Sequence, residues 1–218
     1  GNTAIGHNAQ ATEMNSIAIG VNTTSSGDNS ISIGTVNDID DNNAVAIGIA
    51  TNTSGTSAVA IGNSSTSAQD GVAIGVTATA SSGNSIAIGY SSKSYGDQGV
   101  AVGINSRAFT DGIGIGNNAD ASTNAVAIGK DTNTTGSDGV AIGSSANVTG
   151  ASGVAIGKST TSAEDSVAIG EGATTSTYVN AVALGISADA AGNQGIAIGQ
   201  NAKANEGSIS IGSNTSTS

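Results

Sequence analysis

Sixteen glycines recur along this chain at spacings of 13, 14 or, once, 15 residues. They are Gly6, Gly20, Gly34, Gly48, Gly62, Gly75, Gly89, Gly103, Gly116, Gly129, Gly143, Gly157, Gly170, Gly185, Gly199 and Gly212. The residues one and three before each glycine are Ile, Val or Leu at 31 of 32 positions, with Thr3 the exception. The residue between them is always Ala, Ser or Gly, from Ala4 to Ser210. A fixed period of this kind takes precedence over any local reading. Fourteen residues are too few for a helical hairpin, and alternation with period two inside each motif specifies a strand. Gly, Asn, Asp and Ser fill the intervening stretches as turn formers. Each repeat therefore reads as one coil of a parallel β-solenoid: strand, turn, shorter strand, turn.

Composition alone would mislead. Ile, Val, Leu and Phe make only 41 of 218 residues, and the net charge is −11, a profile associated with disorder. The repeat overrides it, because 31 of the 40 Ile, Val and Leu residues occupy two repeat positions. Other classes fall away on composition. There is no Cys, hence no disulfide framework or thiolate metal site. Five basic residues against sixteen acidic ones leave no footprint for nucleic acid. No apolar run approaches the roughly 18 residues of a membrane helix, so no direct membrane insertion is expected. Stacked coils advance by about 4.8 Å, so sixteen would make one rod of about 75 Å. We read residues 1–218 as a single repeat domain. Neither end looks capped, so it is expected to be a fragment of a longer chain.

Large-against-small packing suggests an interior in which Ile and Val face the small residues three and five places after each glycine. That core comprises Ile17, Ile19, Val45, Ile47, Val59, Ile61, Val72, Ile74, Ile86, Ile88, Val126, Ile128, Val140, Ile142, Val154, Ile156, Val167, Ile169, Ile196 and Ile198. The Ala/Ser/Gly set then faces outward, where another copy of the chain would cover it, since parallel sheets are covered on both faces. The assignment can also be inverted, and self-association follows in either arrangement. Each repeat glycine is expected in a conformation barred to other residues, or at a close approach between coils.

Little here supports catalysis. His7 is the sole histidine and reads as a turn residue. Asp38, Asp40 and Asp41, with Asn42 and Asn43, offer oxygen ligands but lack the spacing of a known calcium loop. No metal or other cofactor is expected. The glycine-rich segments lack the Lys-Ser/Thr of a phosphate loop. The sequons at Asn22, Asn52, Asn63, Asn133, Asn147 and Asn214 follow from a Ser/Thr/Asn-rich composition. The position after the glycine is apolar at Val21, Ile49, Val76, Tyr90, Ile104 and Ile186, forming a row for subunit packing or ligand contact. The only aromatics, Tyr90, Tyr95, Phe109 and Tyr178, are the candidate ligand contacts.

Three segments carry a resemblance. Asn15-Ser16-Ile17-Ala18-Ile19-Gly20, Asn84-Ser85-Ile86-Ala87-Ile88-Gly89 and Asp165-Ser166-Val167-Ala168-Ile169-Gly170 resemble the NSVAIG-type head repeat of YadA-like trimeric autotransporter adhesins. The resemblance covers essentially the whole chain. It implies a homotrimeric left-handed parallel β-roll, displayed at the cell surface on the outer membrane of Gram-negative bacteria. It also implies a virulence-associated, non-enzymatic function: attachment to extracellular matrix, cells or abiotic surfaces. No heptad or amphipathic barrel strand is read after Gly212, so these residues are expected to be the head alone. Asp70, Gln98 and Asp138 replace the motif Asn, and Gly71, Gly99, Gly139 and Gly153 replace its Ser, so these coils depart from the family motif. Two alternatives compete: an ice-binding solenoid, suggested by Thr51/Thr53, Thr132/Thr134 and Thr215/Thr217, and a structural phage tail-fibre rod.

Overall fold

The computed structural model describes residues 1–217, and every regular element among them is a strand. They form two compact units, Gly1–Thr110 and Asp111–Ser218. Each unit is a parallel β-solenoid of eight coils, in which every coil contributes one strand of the Ile/Val motif to a first wall. In the first unit these strands include Ile17–Val21, Ile31–Thr35, Val45–Ile49 and Val59–Asn63, which run through the glycine. In the second they are three residues long, as in Val126–Ile128 and Val140–Ile142. A second wall is built from short strands such as Thr24–Ser25, Lys93–Ser94 and Asn147–Val148. Pairing is parallel and in register, repeat position on repeat position: Ile17↔Ile31, Ala18↔Ser32, Ile19↔Ile33.

Backbone conformation explains the turns. A left-handed residue occurs close to every seven positions: Asn8, Asn15, Asn22, Asn29, Val36, Asn43, with φ between 51° and 58°. Each coil is thus two half-coils of about seven residues, each ended by a left-handed residue. Asn and Asp tolerate this region best among non-glycine residues. Thirteen-residue coils shorten one half, as from Ser64 to Asp70. The Asn of the family motif is therefore a turn residue, and Asp70, Gln98 and Asp138 fill the same role at φ 54° to 59°. Turn side chains also form ladders between coils: Asn8 Nδ2 donates to Asn22 Oδ1 (3.1 Å), and Asn124 Nδ2 to Asp138 Oδ1 (3.1 Å).

The repeat glycine meets both expected requirements. Gly48 has φ +146°, and a Cβ there would lie 2.0 Å from the carbonyl oxygen of Gly62 in the next coil. No side chain fits that space.

The interior is the reverse of the expected core. Ala18, Ala46, Ala60, Ala73, Ala87, Ala101 and Ala127 are completely buried. Ile17, Ile19, Val45, Ile47, Val59, Ile61, Val72, Ile86, Val126, Val140, Val154, Ile156, Val167, Ile196 and Ile198 stay half-exposed on the outer face of the first wall. Ile74, Ile88, Ile128, Ile142 and Ile169 are more exposed still. The reason is the width of the coil. Half-coils of about seven residues hold the walls so close that Ser25 Oγ meets Ser30 Oγ at 2.6 Å across the interior. A Cβ added at Gly99 would sit 2.5 Å from Ser94 Oγ. Ala, Ser, Thr and Gly fill nearly every interior position of both walls, with Ile39, Asn37 and Val148 the larger exceptions. Large-against-small packing survives at single places: a Cβ on Gly139 or Gly153 would lie 3.0 or 2.8 Å from Val148 Cγ1. The buried hydroxyls of Ser16 and Ser30 donate to the Glu13 and Gly27 carbonyls, each at 2.7 Å.

Candidate interaction surfaces

The reversal places the branched aliphatics of the first wall outside. In each unit they form two parallel rows, one residue of each row per coil. Parallel sheets without a covering layer on both faces are rare, and apolar patches of this regularity mark association sites. Beside them runs the position after the glycine. In the first unit it is exposed and largely apolar at Val21, Ile49, Val76, Tyr90 and Ile104. In the second it is Asn117, Lys130, Ser144, Lys158, Glu171, Gln200 and Ser213, with Ile186 the apolar member. Lys158 Nζ and Glu171 Oε1 pair at 3.0 Å along it.

The four aromatics do not form one site. Tyr95 and Phe109 stack, with ring centroids 5.4 Å apart and planes at 28°. Both project from the second wall of the first unit, and both are exposed. Tyr90 is exposed in the turn that leaves the first wall after the strand Ile86–Ile88. Tyr178 belongs to the 15-residue coil, where Ser176 adds a further left-handed residue. It is partly buried against a cluster of alanines that includes Ala168 and Ala181, and its carbonyl accepts the Ser166 hydroxyl at 2.9 Å. Sequence reasoning missed what adjoins the stacked pair. Lys93 and Arg107 are register partners on neighbouring strands, with Ser94 and Ala108 buried beside them. The signal was present, since both basic residues lie four places after a repeat glycine.

The remaining candidates are quickly placed. His7 is exposed, and its carbonyl accepts the Asn22 N–H at 2.9 Å. In the acidic run, Asp40 Oδ1 accepts the Ser26 hydroxyl at 2.7 Å. Partial burial, and secondarily Asp40, pushes the Asp38 carboxyl above its usual range. Among the described residues no group of three or more His, Cys, Asp or Glu is arranged to hold a metal ion. Thr51, Thr53, Thr132 and Thr134 are buried inside the coils, so these pairs present no threonine lattice to ice.

Fold and surfaces together define a class: a β-solenoid repeat module whose own core is made of small residues and whose larger apolar side chains face outward. The family model for the YadA head domain repeat matches residues 3–23, 14–36, 42–65, 67–92, 81–106, 121–146, 135–160, 162–178 and 179–202. The chain belongs to the YadA head family, whose members are non-enzymatic, surface-exposed autotransporter passengers of adhesins. Among solved structures, the collagen-binding domain of the Yersinia adhesin YadA is similar, at 29% identity over 72% of this chain and 80% of that one, with a TM-score of 0.43. No curated protein matches the chain.

Proposed function

We propose that residues 1–218 act as one head, that three copies pack their Ile/Val faces together, and that the homotrimer attaches a bacterial cell to extracellular matrix, other cells or abiotic surfaces. One observation carries this reading. Thirty-one branched aliphatics occupy the outer positions of the first-wall motif, and residues such as Ile128 and Ile142 remain 36% and 37% exposed there. Burying the remaining surface of one such side chain is worth roughly 1 kcal/mol. Thirty-one of them outweigh an association cost of about 4–15 kcal/mol. The residues expected at the core of the coil thus become the core of the assembly, and association is coupled to folding.

Attachment then works by multivalency. Three copies of one repetitive surface present many weak contacts at once, and their combined avidity exceeds any single affinity. The head is displayed on the outer membrane, carried by parts of a longer chain. Its negative charge keeps the assembly soluble and sets a repulsive background for acidic partners.

Light scattering on the 218-residue chain tests the assembly. The mass of three chains is expected, and a stable monomer refutes it. Beads coated with the chain are then applied to collagen, fibronectin, laminin and bare polystyrene. Capture on at least one is expected, and a trimer that binds none is a structural rod instead.

A further inference from the structure

The second wall carries a feature that neither the coil fold nor trimerisation requires. Lys93 and Tyr95 alternate with buried Ser94, and in the next coil Arg107 and Phe109 alternate with buried Ala108. The two pairs are in register, Lys93 beside Arg107 and Tyr95 stacked on Phe109 at 5.4 Å. All four project from the outer side of the second wall, the side away from the Ile/Val rows. Like charges placed side by side on neighbouring strands are unfavourable. Lys130, Lys158 and Lys203 each pair with a carboxylate. Lys93 has no ion pair among the described residues; its neighbours along the wall are Thr79 and Arg107. Arg107 makes a polar interaction of its own. The nearest acid in sequence, Asp97, accepts the Gly83 N–H at 3.2 Å. Two of the five basic residues of a chain with net charge −11 thus adjoin a stacked pair formed by two of its four aromatics.

We propose that this ridge binds an acidic polysaccharide carrying uronic acid carboxylates. The exposed ring surface of the stacked Tyr95 and Phe109 offers apolar contact to the C–H groups of a sugar ring. Lys93 takes the carboxylate through a charge-assisted hydrogen bond. The aromatics favour a glycan over an acidic peptide, because a run of Asp or Glu would engage the cations and leave the rings unused. The surrounding negative charge favours a ligand that contacts one local site over a densely charged polyanion. The inference rests on the adhesive-head reading only for the covering of the first wall, which leaves the second wall in solvent.

Calorimetric titration of the full chain with a hyaluronan octasaccharide tests it. Binding is expected, weakened several-fold as salt rises to about 0.15 M. Lys93→Gln is expected to reduce the affinity about tenfold, and Phe109→Leu several-fold. Lys158→Gln, on a lysine already paired, should leave it unchanged. Circular dichroism confirms that each variant is folded, and both surface substitutions are chosen to preserve the strand. Four outcomes would overturn the proposal: no binding of the octasaccharide, equal binding of neutral maltohexaose, no effect of Lys93→Gln, or equal binding of poly-glutamate. A chain that captures matrix proteins yet ignores hyaluronan loses this site and keeps the head function. A monomer that binds hyaluronan loses the assembly and keeps the site.

Discussion

The two units obey one outer pattern and fill their interiors differently. Among the described residues the first unit buries fourteen polar side chains and twelve apolar ones. The second buries seven polar and eighteen apolar, almost all alanine. Among the described residues, the six buried hydroxyls that lack a hydrogen-bond partner, on Thr23, Ser32, Thr51, Thr53, Ser65 and Ser94, all fall in the first unit. Ser substitutes for Ala freely because the interior selects for volume before polarity. An orphan hydroxyl costs about 1–3 kcal/mol, so polarity still separates the units in stability. The first unit compensates in its backbone: four of its strands continue pairing through the glycine, as in Gly20↔Gly34 and Gly34↔Gly48.

The largest test of that comparison uses two glycines with the same φ of +138°. A Cβ at Gly34 would lie 1.8 Å from the Gly48 carbonyl oxygen, whereas at Gly129 it would lie 2.7 Å from that of Gly143. Conformational strain is equal, so any difference reports the tighter stacking. Gly34→Ala is expected to cost more than about 4 kcal/mol, and Gly129→Ala about 2–3 kcal/mol. Denaturant melts of both variants decide it, and equal losses would mean that φ alone matters.

Next come the two largest interior side chains. Ile39, clustered with Ala44 and Ala46, is the largest in the first unit. Ile39→Ala should cost about 3 kcal/mol, and Val148→Ala about 2 kcal/mol, because a close-packed wall cannot collapse onto the void. Hydrogen exchange should show faster opening confined to the unit that carries each substitution. Opening spread evenly over the whole chain would contradict a local effect.

These positions also show how far the sequence could be read. Period, strand alternation, parallel stacking and the glycine's role all follow from spacing, because each depends on local sterics. The inside and outside of the strand do not. Val45 and Ala46 alternate whichever way the strand faces, and only the distance between the walls decides. That distance follows from left-handed residues at seven-residue intervals. Asn8, Asn15, Asn22 and Asn29 signal the interval, but Val36, Ala50 and Thr77 occupy the same conformation and obscure it. At the surface, the aromatic residues were legible one by one. The stacked pair was legible too, since Tyr95 and Phe109 each lie six places after a repeat glycine in successive coils; the packing of Tyr178 was not, because it depends on how the 15-residue coil accommodates its extra residue.

Val36 is itself the next test. A β-branched residue at φ 58° is strained, and the equivalent positions in other coils hold Asn22 or Asn105. Val36→Asn should stabilise the first unit by about 1 kcal/mol, visible as a higher melting temperature. A loss would indicate that the exposed valine makes a contact worth more than the strain. A smaller pair of opposite sign follows. Ser94 lies between Ala80 and Ala108 in the stack and its hydroxyl has no partner, so Ser94→Ala should stabilise by up to about 1 kcal/mol. Ser162 donates to the Ser166 carbonyl at 2.8 Å, so Ser162→Ala should destabilise by about 1 kcal/mol. Two shifts of the same sign would remove polarity from the account of how the units differ.

The smallest expected effect concerns charge on the second wall. Asp38 stands between Thr24 and Asn52 with no cation in register, whereas Asp189 is paired with Lys203 at 3.4 Å. Partial burial first, and Asp40 second, raise the Asp38 carboxyl above its usual range. The folded state therefore holds this proton more tightly than the unfolded chain does. The site's contribution favours folding on the acid side, and it is lost as the pH rises through the carboxylate range. Asp38→Asn should accordingly raise the melting temperature slightly at neutral pH and leave it unchanged where Asp38 is already protonated. Asp189→Asn breaks an exposed pair worth under about 1 kcal/mol and should give no gain at neutral pH. Melting curves of both variants across the acid range separate the two. A gain for Asp38→Asn that persists at low pH would trace its effect to packing and not to charge.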